Sequence, residues 1–385
     1  MVIDLAALPA RPLTPVRSAT PALSLLHVLP SFAVGGVQVR LARVINALGD
    51  RYRHRILALD GNRGAAALID PALDTSVDTM PRARQSLPAA LFAIRNRIAA
   101  TKPDRLLTYN WGAIEWALAA SLFGICPHIH FEDGFGPEEC DKRLWRRSIL
   151  RRLALSRATT VVVPSRNLEN IARREWHLPA TRLRYIPNGI DADHFAAPPE
   201  DAALFTRDRD EVIIGTVAPL RPEKNVARLV RVFARLATRL PTRLAIAGAG
   251  AQRDEIETLA RGLGLAGRVI FLGGVAEPQR ALALFDIFAL SSNTEQMPMS
   301  VLEAMAIGLP VASVDVGDVK AMLAPENRGY VVAKTDEPAF ADALDALVST
   351  PQRRAELGAL NRAHVRRHYS WETMVDEYDR VFSAR

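Results

Sequence analysis

Two carboxylates, Glu295 and Glu303, stand with seven residues between them in the stretch SSNTEQMPMSVLEAMAIGLPVAS, residues 291–313. Glu295 lies in a polar, proline-containing loop. Glu303 lies about one turn inside a mostly apolar helix that starts near Pro298 or Met299, where proline suits the first turn. A carboxylate accepts two hydrogen bonds side by side, which matches a vicinal diol. The backbone over Met297, Pro298, Met299 and Ser300 opens that helix, and unsatisfied first-turn N–H groups can meet phosphate oxygens. Upstream, in APLRPEKNVARLV, Arg221 and Lys224 fall in a loop just before another helix. Two fixed cations there make a diphosphate clamp. One phosphate site with two diol-accepting acids points to a nucleotide sugar, with ribose on one side and hexose on the other. Taken singly, each residue also fits a blander role: a solvated acid favoured by the helix dipole, or ordinary surface charge.

Two further groups lie in the first half of the chain. Gly35 and Gly36, in PSFAVGGVQVRLAR, precede a helix and let backbone amides come close to a phosphate. The same glycines also serve ordinary strand-to-helix geometry. In HIHFEDGFGPEE, Asp133 follows a short apolar strand, with His130 three residues earlier. An acid there can hydrogen-bond a sugar hydroxyl or accept a proton, whereas His130 reads equally well as a strand residue pointing into the core.

These residues need strands and helices to hold them. Apolar runs suited to strands occur at residues 23–29, 54–60, 104–110, 128–132 and 159–165, with helical patterns between them, as at 87–100 and 113–122. A second series follows at 212–218, 243–249, 268–274, 286–292, 309–315 and 329–333, with helices at 226–240 and 252–263. Short apolar strands alternating with amphipathic helices imply parallel sheet covered on both faces. The stretch IPNGIDADHFAAPPEDAALFTRDRDE breaks the rhythm with turn and linker residues. The expected organisation is a leader at 1–21, an N-terminal domain at 22–200, a C-terminal domain at 211–365 and a closing helical segment at 366–385. Ligands of such sheets bind beyond the carboxyl ends of the strands.

The chain has 385 residues, 49% apolar and 24% charged, enough for two globular cores. Cys126 and Cys140 lack metal-ligand or disulfide spacing, so a reducing compartment is the default. The first residues carry no basic segment ahead of an apolar run, which argues against a signal peptide. No apolar stretch reaches membrane-spanning length. The expected location is the cytoplasm, with peripheral contact at the inner face of the membrane. The net charge of +7 permits an anionic partner. Its densest source is 142–157, where Leu144, Trp145, Ile149, Leu150 and Leu153 recur at helical spacing amid arginines. That segment reads either as a helix with its apolar face in the core and its arginines outside, or as a contact with anionic lipid. No recognition helix or stacking motif supports nucleic acid.

The glutamate pair, the loop with Arg221 and Lys224, the paired glycines and the segment IPNGID together resemble the retaining glycosyltransferases of family 4, which have the GT-B fold. The resemblance rests on EQMPMSVLE, RPEKN, GGVQ and IPNGID, which occur in the family's order and cover the chain from about Leu23 onward. It implies an α/β chain of two Rossmann-like doubly wound domains with an interdomain cleft and a C-terminal crossover helix. It implies a UDP- or GDP-sugar donor and a glycan or lipid-linked acceptor. Glu303 would hold the ribose hydroxyls and Glu295 would sit by the donor sugar. Arg221 and Lys224 would neutralise the diphosphate, and Gly36 would allow its close approach. Where many relatives have a histidine before a glycine, this chain has Asp133, which leaves Asp133 and His130 both open as the acceptor-side group. No Asp-x-Asp cluster suits a metal, and no cofactor is expected. Two rivals within reach of this fold are an epimerase or phosphorylase, and a dinucleotide oxidoreductase suggested by AGAGAQR. The latter has Arg253 where the third glycine belongs. A non-catalytic basic binding protein is the rival from another class, and it leaves the glutamate pair unexplained.

Overall fold

The structure is a computed structural model of the chain, and it describes residues 22–80, 86–139, 143–196, 204–236 and 241–384. The expected leader and the first residue of the basic segment, Lys142, lie outside the described residues. The chain divides into two compact units. One holds the described residues up to Pro187 together with those from Met374 onward, and the other is Asn188–Thr373.

The first unit is built on seven parallel strands: β1 (Leu23–Leu29), β2 (Tyr52–Ala58), β3 (Thr75–Thr79), β4 (Arg105–Tyr109), β5 (His128–Phe131), β6 (Thr160–Val163) and β7 (Leu183–Tyr185). Their order is β3-β2-β1-β4-β5-β6-β7. The central strands are apolar along almost their whole length, because helices cover a parallel sheet on both faces. Leu25, Leu29, Leu106 and Leu107 are accordingly fully buried. The two strands that sequence patterning passes over, β3 and β7, lie at the sheet edges, and β3 (TSVDT) carries little apolar content. Residues of the helix Trp371–Ser383 close this unit. Tyr52 donates its hydroxyl to Asp379 at 2.7 Å, Arg105 donates to the Phe382 carbonyl at 2.8 Å, and Phe382 packs edge-on against His27.

The second unit has six parallel strands, at the six places the sequence indicates: β8 (Val212–Val217), β9 (Thr242–Ala247), β10 (Val269–Gly273), β11 (Ile287–Leu290), β12 (Val311–Val314) and β13 (Val331–Val332). Their order is β10-β9-β8-β11-β12-β13. The stretch that reads as a linker straddles the change of unit, with Ile186 and Pro187 in the first unit and Asn188 onward in this one. Asn188–Ala196 is ordered into it, with Ile190 and Phe195 in its core and the Ile190 amide donating to the Tyr369 carbonyl at 2.8 Å. The chain therefore passes between units at Pro187–Asn188, near the start of the turn-rich residues, because apolar side chains among the residues that follow offset the cost of their ordering by burial.

The basic helix, Trp145–Ala154, departs from its expected orientation. Arg151 is fully buried, while Trp145, Ile149 and Leu153 are exposed. Arg151 bonds Glu132 at 3.1 Å and both oxygens of Glu139 at 3.2 and 3.1 Å, and its guanidinium lies over the rings of Trp111, Phe135 and Trp176. Two buried carboxylates without a cation would cost several kcal/mol. The helix turns its arginine inward to meet them, and the opposite face, with its apolar residues, turns out.

The first unit also buries uncharged histidines. His27 bonds both His54 and Tyr109 at 2.9 Å. Burial lowers the His54 pKa to about 4, from 6.5. Burial, reinforced by neighbouring His130, lowers that of His128 to about 3. Both are depressed in the fold, so as pH falls below 6.5 the unfolded chain takes up protons that the folded chain refuses. This contribution to stability is complete above the unfolded pKa and is lost as pH drops toward the folded values. A urea midpoint that declines steadily from neutral pH to about pH 4 is expected, with a shallower decline in His54→Gln. A midpoint flat over that range in the native chain would contradict the assignment.

Candidate functional site

Each sheet reverses its winding once, and the loops that leave the two strands at the reversal diverge to leave a crevice at their carboxyl ends. In the second unit the reversal lies between β8 and β11. Arg221 and Lys224 follow β8, and Glu295 follows β11. The Lys224 ammonium bonds Glu295 Oε1 at 2.6 Å, and the same oxygen accepts the Ser292 hydroxyl at 2.7 Å. The two loops are laced together by backbone and side chain. The Asn293 amide donates to the Glu223 carbonyl at 2.8 Å, and Asn225 donates to Asn293 at 3.0 Å. Arg228, one turn into the helix Val226–Leu236, donates to the Ser291 carbonyl at 3.0 Å and to Asn293 at 2.9 Å. Lys334, beyond β13, reaches the Asn293 carbonyl at 3.3 Å. Arg221 is exposed, and its guanidinium has no partner among the described residues. These loops therefore set Arg221, Lys224, Arg228 and Lys334 against the carboxylates of Glu223 and Glu295, with Arg228 also 3.9 Å from Glu337, and the exposed Arg221 is the cation placed to meet an anion.

Glu303 sits half-buried on the helix Met299–Ile307, whose N-cap is Pro298. The amides of Met299 and Ser300 belong to its first turn, where the helix supplies no acceptors. Met297 is buried instead: its sulfur accepts the Asn188 amide at 3.1 Å and its carbonyl accepts the Asn188 side chain at 2.8 Å. Pro298 is likewise buried. Of this pair, only the Met297 amide remains as a donor toward a ligand.

The glycines of AGAGAQR serve packing. A Cβ on Gly248 would lie 1.8 Å from the Ala218 carbonyl oxygen, and one on Gly250 would lie 2.3 Å from that of Leu220. The loop after β9 thus presses backbone to backbone on the loop that carries Arg221, and the Leu220 amide donates to the Ala249 carbonyl at 2.9 Å.

In the first unit the reversal lies between β1 and β4. Gly35, in extended conformation, caps the helix Gly36–Leu48 without a side-chain acceptor. A Cβ on Gly36 would meet nothing within 4 Å, so no neighbouring protein atom requires glycine there. Asp133, past β5, is held from two sides: its amide donates to Asn110 Oδ1 at 2.7 Å, and its carboxylate takes Arg40 at 2.5 Å. Burial works against the Arg40 charge, but Asp133 outweighs it and holds the guanidinium pKa above its usual value. The second Asp133 oxygen is buried without a hydrogen bond among the described residues. His130 is fully buried on β5, with Nδ1 at 2.8 Å from the Thr108 hydroxyl. The loops thus bring Asp133, Asn110 and Arg40 together and leave His130 in the core. Sequence reading missed Arg40, Asn110, Arg228 and Lys334. Arg40 and Arg228 look like the polar face of amphipathic helices, and only Asn110, a polar residue ending a strand, leaves a local signal.

The family model described as "Glycosyltransferase Family 4" matches residues 34–194, and that described as "Glycosyl transferases group 1" matches residues 200–364. The chain belongs to the family 4 glycosyltransferases. Among curated family members, the GDP-mannose-dependent alpha-(1-6)-phosphatidylinositol monomannoside mannosyltransferase of Mycolicibacterium smegmatis is 30% identical over 221 residues, 54% of this chain and 58% of that protein. The D-inositol 3-phosphate glycosyltransferase of Rhodococcus erythropolis is 30% identical over 51% of this chain and 47% of its own length. The chain thus spans about half the length of these curated relatives. Solved structures show the fold over nearly all of the chain. Sucrose-phosphate synthase of Thermosynechococcus elongatus superposes with TM-score 0.76 at 21% identity, over 94% of this chain and 100% of that one. HepE of Anabaena, solved with UDP, gives 0.78 at 18% identity over the same shares. The chain thus has the two Rossmann-like parallel-sheet domains of the GT-B fold. Among the described residues, no helix is long and apolar enough to cross a membrane.

The packing of Gly250 is open to test. Gly250→Ala forces backbone against backbone and should cost about 1–3 kcal/mol of stability, as overpacking does, read as a lower urea midpoint. An unchanged midpoint would return the glycines to a ligand-binding role.

Proposed function

We propose that this glycosyltransferase moves a sugar from a nucleoside-diphosphate sugar to a glycan or lipid-linked acceptor, with retention at the anomeric carbon, in surface-polysaccharide or glycolipid synthesis. The observation that carries the reading is the meeting of Lys224 and Glu295 at 2.6 Å across the reversal of the second sheet, with Arg221 exposed beside them. The relatives support it. The mannosyltransferase relative is named for GDP-mannose and a phosphatidylinositol monomannoside, and HepE has been solved with UDP and with UDP-glucose.

In this reading the diphosphate lies against Arg221, Lys224 and the amides of Met299 and Ser300. Glu303 accepts the ribose hydroxyls and Glu295 faces the donor sugar. As the bond from the anomeric carbon to the diphosphate breaks, its electron pair passes to the leaving oxygen. Fixed cations and amides stabilise that growing charge, an effect that dominates many enzymatic rates. The acceptor hydroxyl attacks from the face the diphosphate leaves. Gly35 and Gly36 leave room for a ligand's phosphate. Asp133 takes the acceptor-side role, because it stands in the loop just past β5 with one carboxylate oxygen lacking a hydrogen-bond partner among the described residues, whereas the His130 ring is fully buried on the strand.

A panel of UDP- and GDP-sugars tests the reading by thermal shift and donor consumption. A ligand at a hundred times its dissociation constant stabilises by about 2.7 kcal/mol. A panel with neither stabilisation nor consumption would overturn it. Glu303→Ala should weaken nucleoside-diphosphate binding, since each charged hydrogen bond contributes about 1.5–3 kcal/mol. Equal affinity would remove Glu303 from the ribose role. Asp133→Asn should lower turnover by about 10²–10⁴-fold and leave nucleoside-diphosphate affinity intact. Turnover at the native rate would assign Asp133 to packing with Arg40.

A further inference from the structure

Eight large apolar side chains are exposed among the described residues, and six of them lie on three helices of the first unit. They are Leu87 and Phe92 on Leu87–Thr101, Leu122 on Ile114–Phe123, and Trp145, Ile149 and Leu153 on Trp145–Ala154. The three helices pack side by side. Their inner faces already fill the core with residues such as Leu91, Ile98, Trp116 and Ala154, so the outer apolar residues are surplus to folding.

Contacts between the helices bring five of the six into one neighbourhood. The Phe92 ring lies 5.5 Å from that of Phe123, next to Leu122. Ser121, on the other side of Leu122, bonds the Leu153 carbonyl and Ser156 at 3.4 and 3.2 Å. Trp145, Ile149 and Leu153 recur every four residues and so share one face of their helix. Scattered exposed leucines are normal, but a contiguous patch crowned by tryptophan and phenylalanine marks an interaction site.

The charge around the patch selects the partner. The three helices carry a single acid, Glu115, against arginines at 95, 97, 146, 147, 151 and 152. Arg151 is committed inward to Glu132 and Glu139, and Arg147 is paired with Glu139 and with the exposed Glu138. Arg146 and Arg152 are exposed beside the apolar stripe, and Arg95 lies over the Phe123 ring at 5.7 Å. Tryptophan, phenylalanine and leucine facing out with arginine at their flanks is the composition of a helix lying in the boundary between headgroups and acyl chains. A soluble protein partner would not need the near-absence of acid.

We propose that the outer faces of these three helices form a docking surface for an anionic lipid bilayer, with Trp145, Ile149, Leu153, Phe92 and Leu122 entering the interface and Arg146 and Arg152 meeting headgroup phosphates. The proposal goes beyond the transferase reading and does not rest on it, because its test involves no turnover. The full chain is sedimented with phosphatidylcholine vesicles, with and without a minor fraction of phosphatidylglycerol. The chain should follow the anionic vesicles and far less the neutral ones. The triple variant Trp145→Gln, Ile149→Gln, Leu153→Gln should bind at least tenfold more weakly at an unchanged melting temperature. Arg146→Gln with Arg152→Gln should bind several-fold more weakly at low salt, where charge is least screened. Should the triple variant fail to fold, Trp145→Phe keeps the question answerable. Anionic vesicles should blue-shift the emission of the native chain by a component that this variant lacks. No sedimentation of the native chain, native binding by the triple variant, or no Trp145-dependent shift would each overturn the proposal. So would a dimer formed without lipid and dispersed by the triple variant, since a second copy of the chain would then cover the patch.

Discussion

A parallel sheet sends every strand in the same direction, so all its carboxyl ends lie along one edge, and helices must cover both of its faces. That constraint shapes the molecule twice. In each unit the chain winds outward to one side, returns, and winds to the other, so that one pair of adjacent strands sends its following loops apart. Most residues of the candidate site collect near those two places: Gly35, Arg40, Asn110 and Asp133 past β1, β4 and β5; Arg221, Lys224, Ser292 and Glu295 past β8 and β11.

The second unit shows how rigidly such loops can be held. Lys224 and Glu295 are 71 residues apart in sequence and 2.6 Å apart in space. The lacing through Asn225, Asn293 and Arg228 fixes both loops, and the close approach at Gly248 and Gly250 fixes the first of them from behind. A charged group held this way pays its ordering cost on folding rather than on binding, which is what preorganisation means for a site that stabilises developing charge.

Much of this was legible in the residues and some was not, for physical reasons. The six strands of the second unit announce themselves as short apolar runs, and helices such as Leu87–Thr101 because Leu91, Ile94 and Ile98 are buried on a helical period. Glu295 and Lys224 stood out as polar residues just past apolar strands. The edge strands β3 and β7 escaped notice because an edge demands little apolar surface. The orientation of the helix Trp145–Ala154 was illegible for a deeper reason. Its periodicity fits an apolar face inside, and only the tertiary placement of Glu132 and Glu139, from another segment, turns Arg151 inward. Periodicity reports which residues share a face; it does not report which face finds a buried charge to satisfy. Asn188–Ala196 carries turn residues and is nevertheless ordered, because Ile190 and Phe195 find a core.

The central claim is that the loops after β8 and β11, with the helix that opens at Met299, receive the nucleoside diphosphate of a donor. Amide hydrogen exchange in the presence and absence of UDP- and GDP-sugars tests this most directly, because it reports where binding orders the backbone without assuming any residue's role. The account predicts slowed exchange over residues 219–225 and 293–303 with at least one donor. Donor-dependent protection confined to other segments, with these two unchanged, would contradict it.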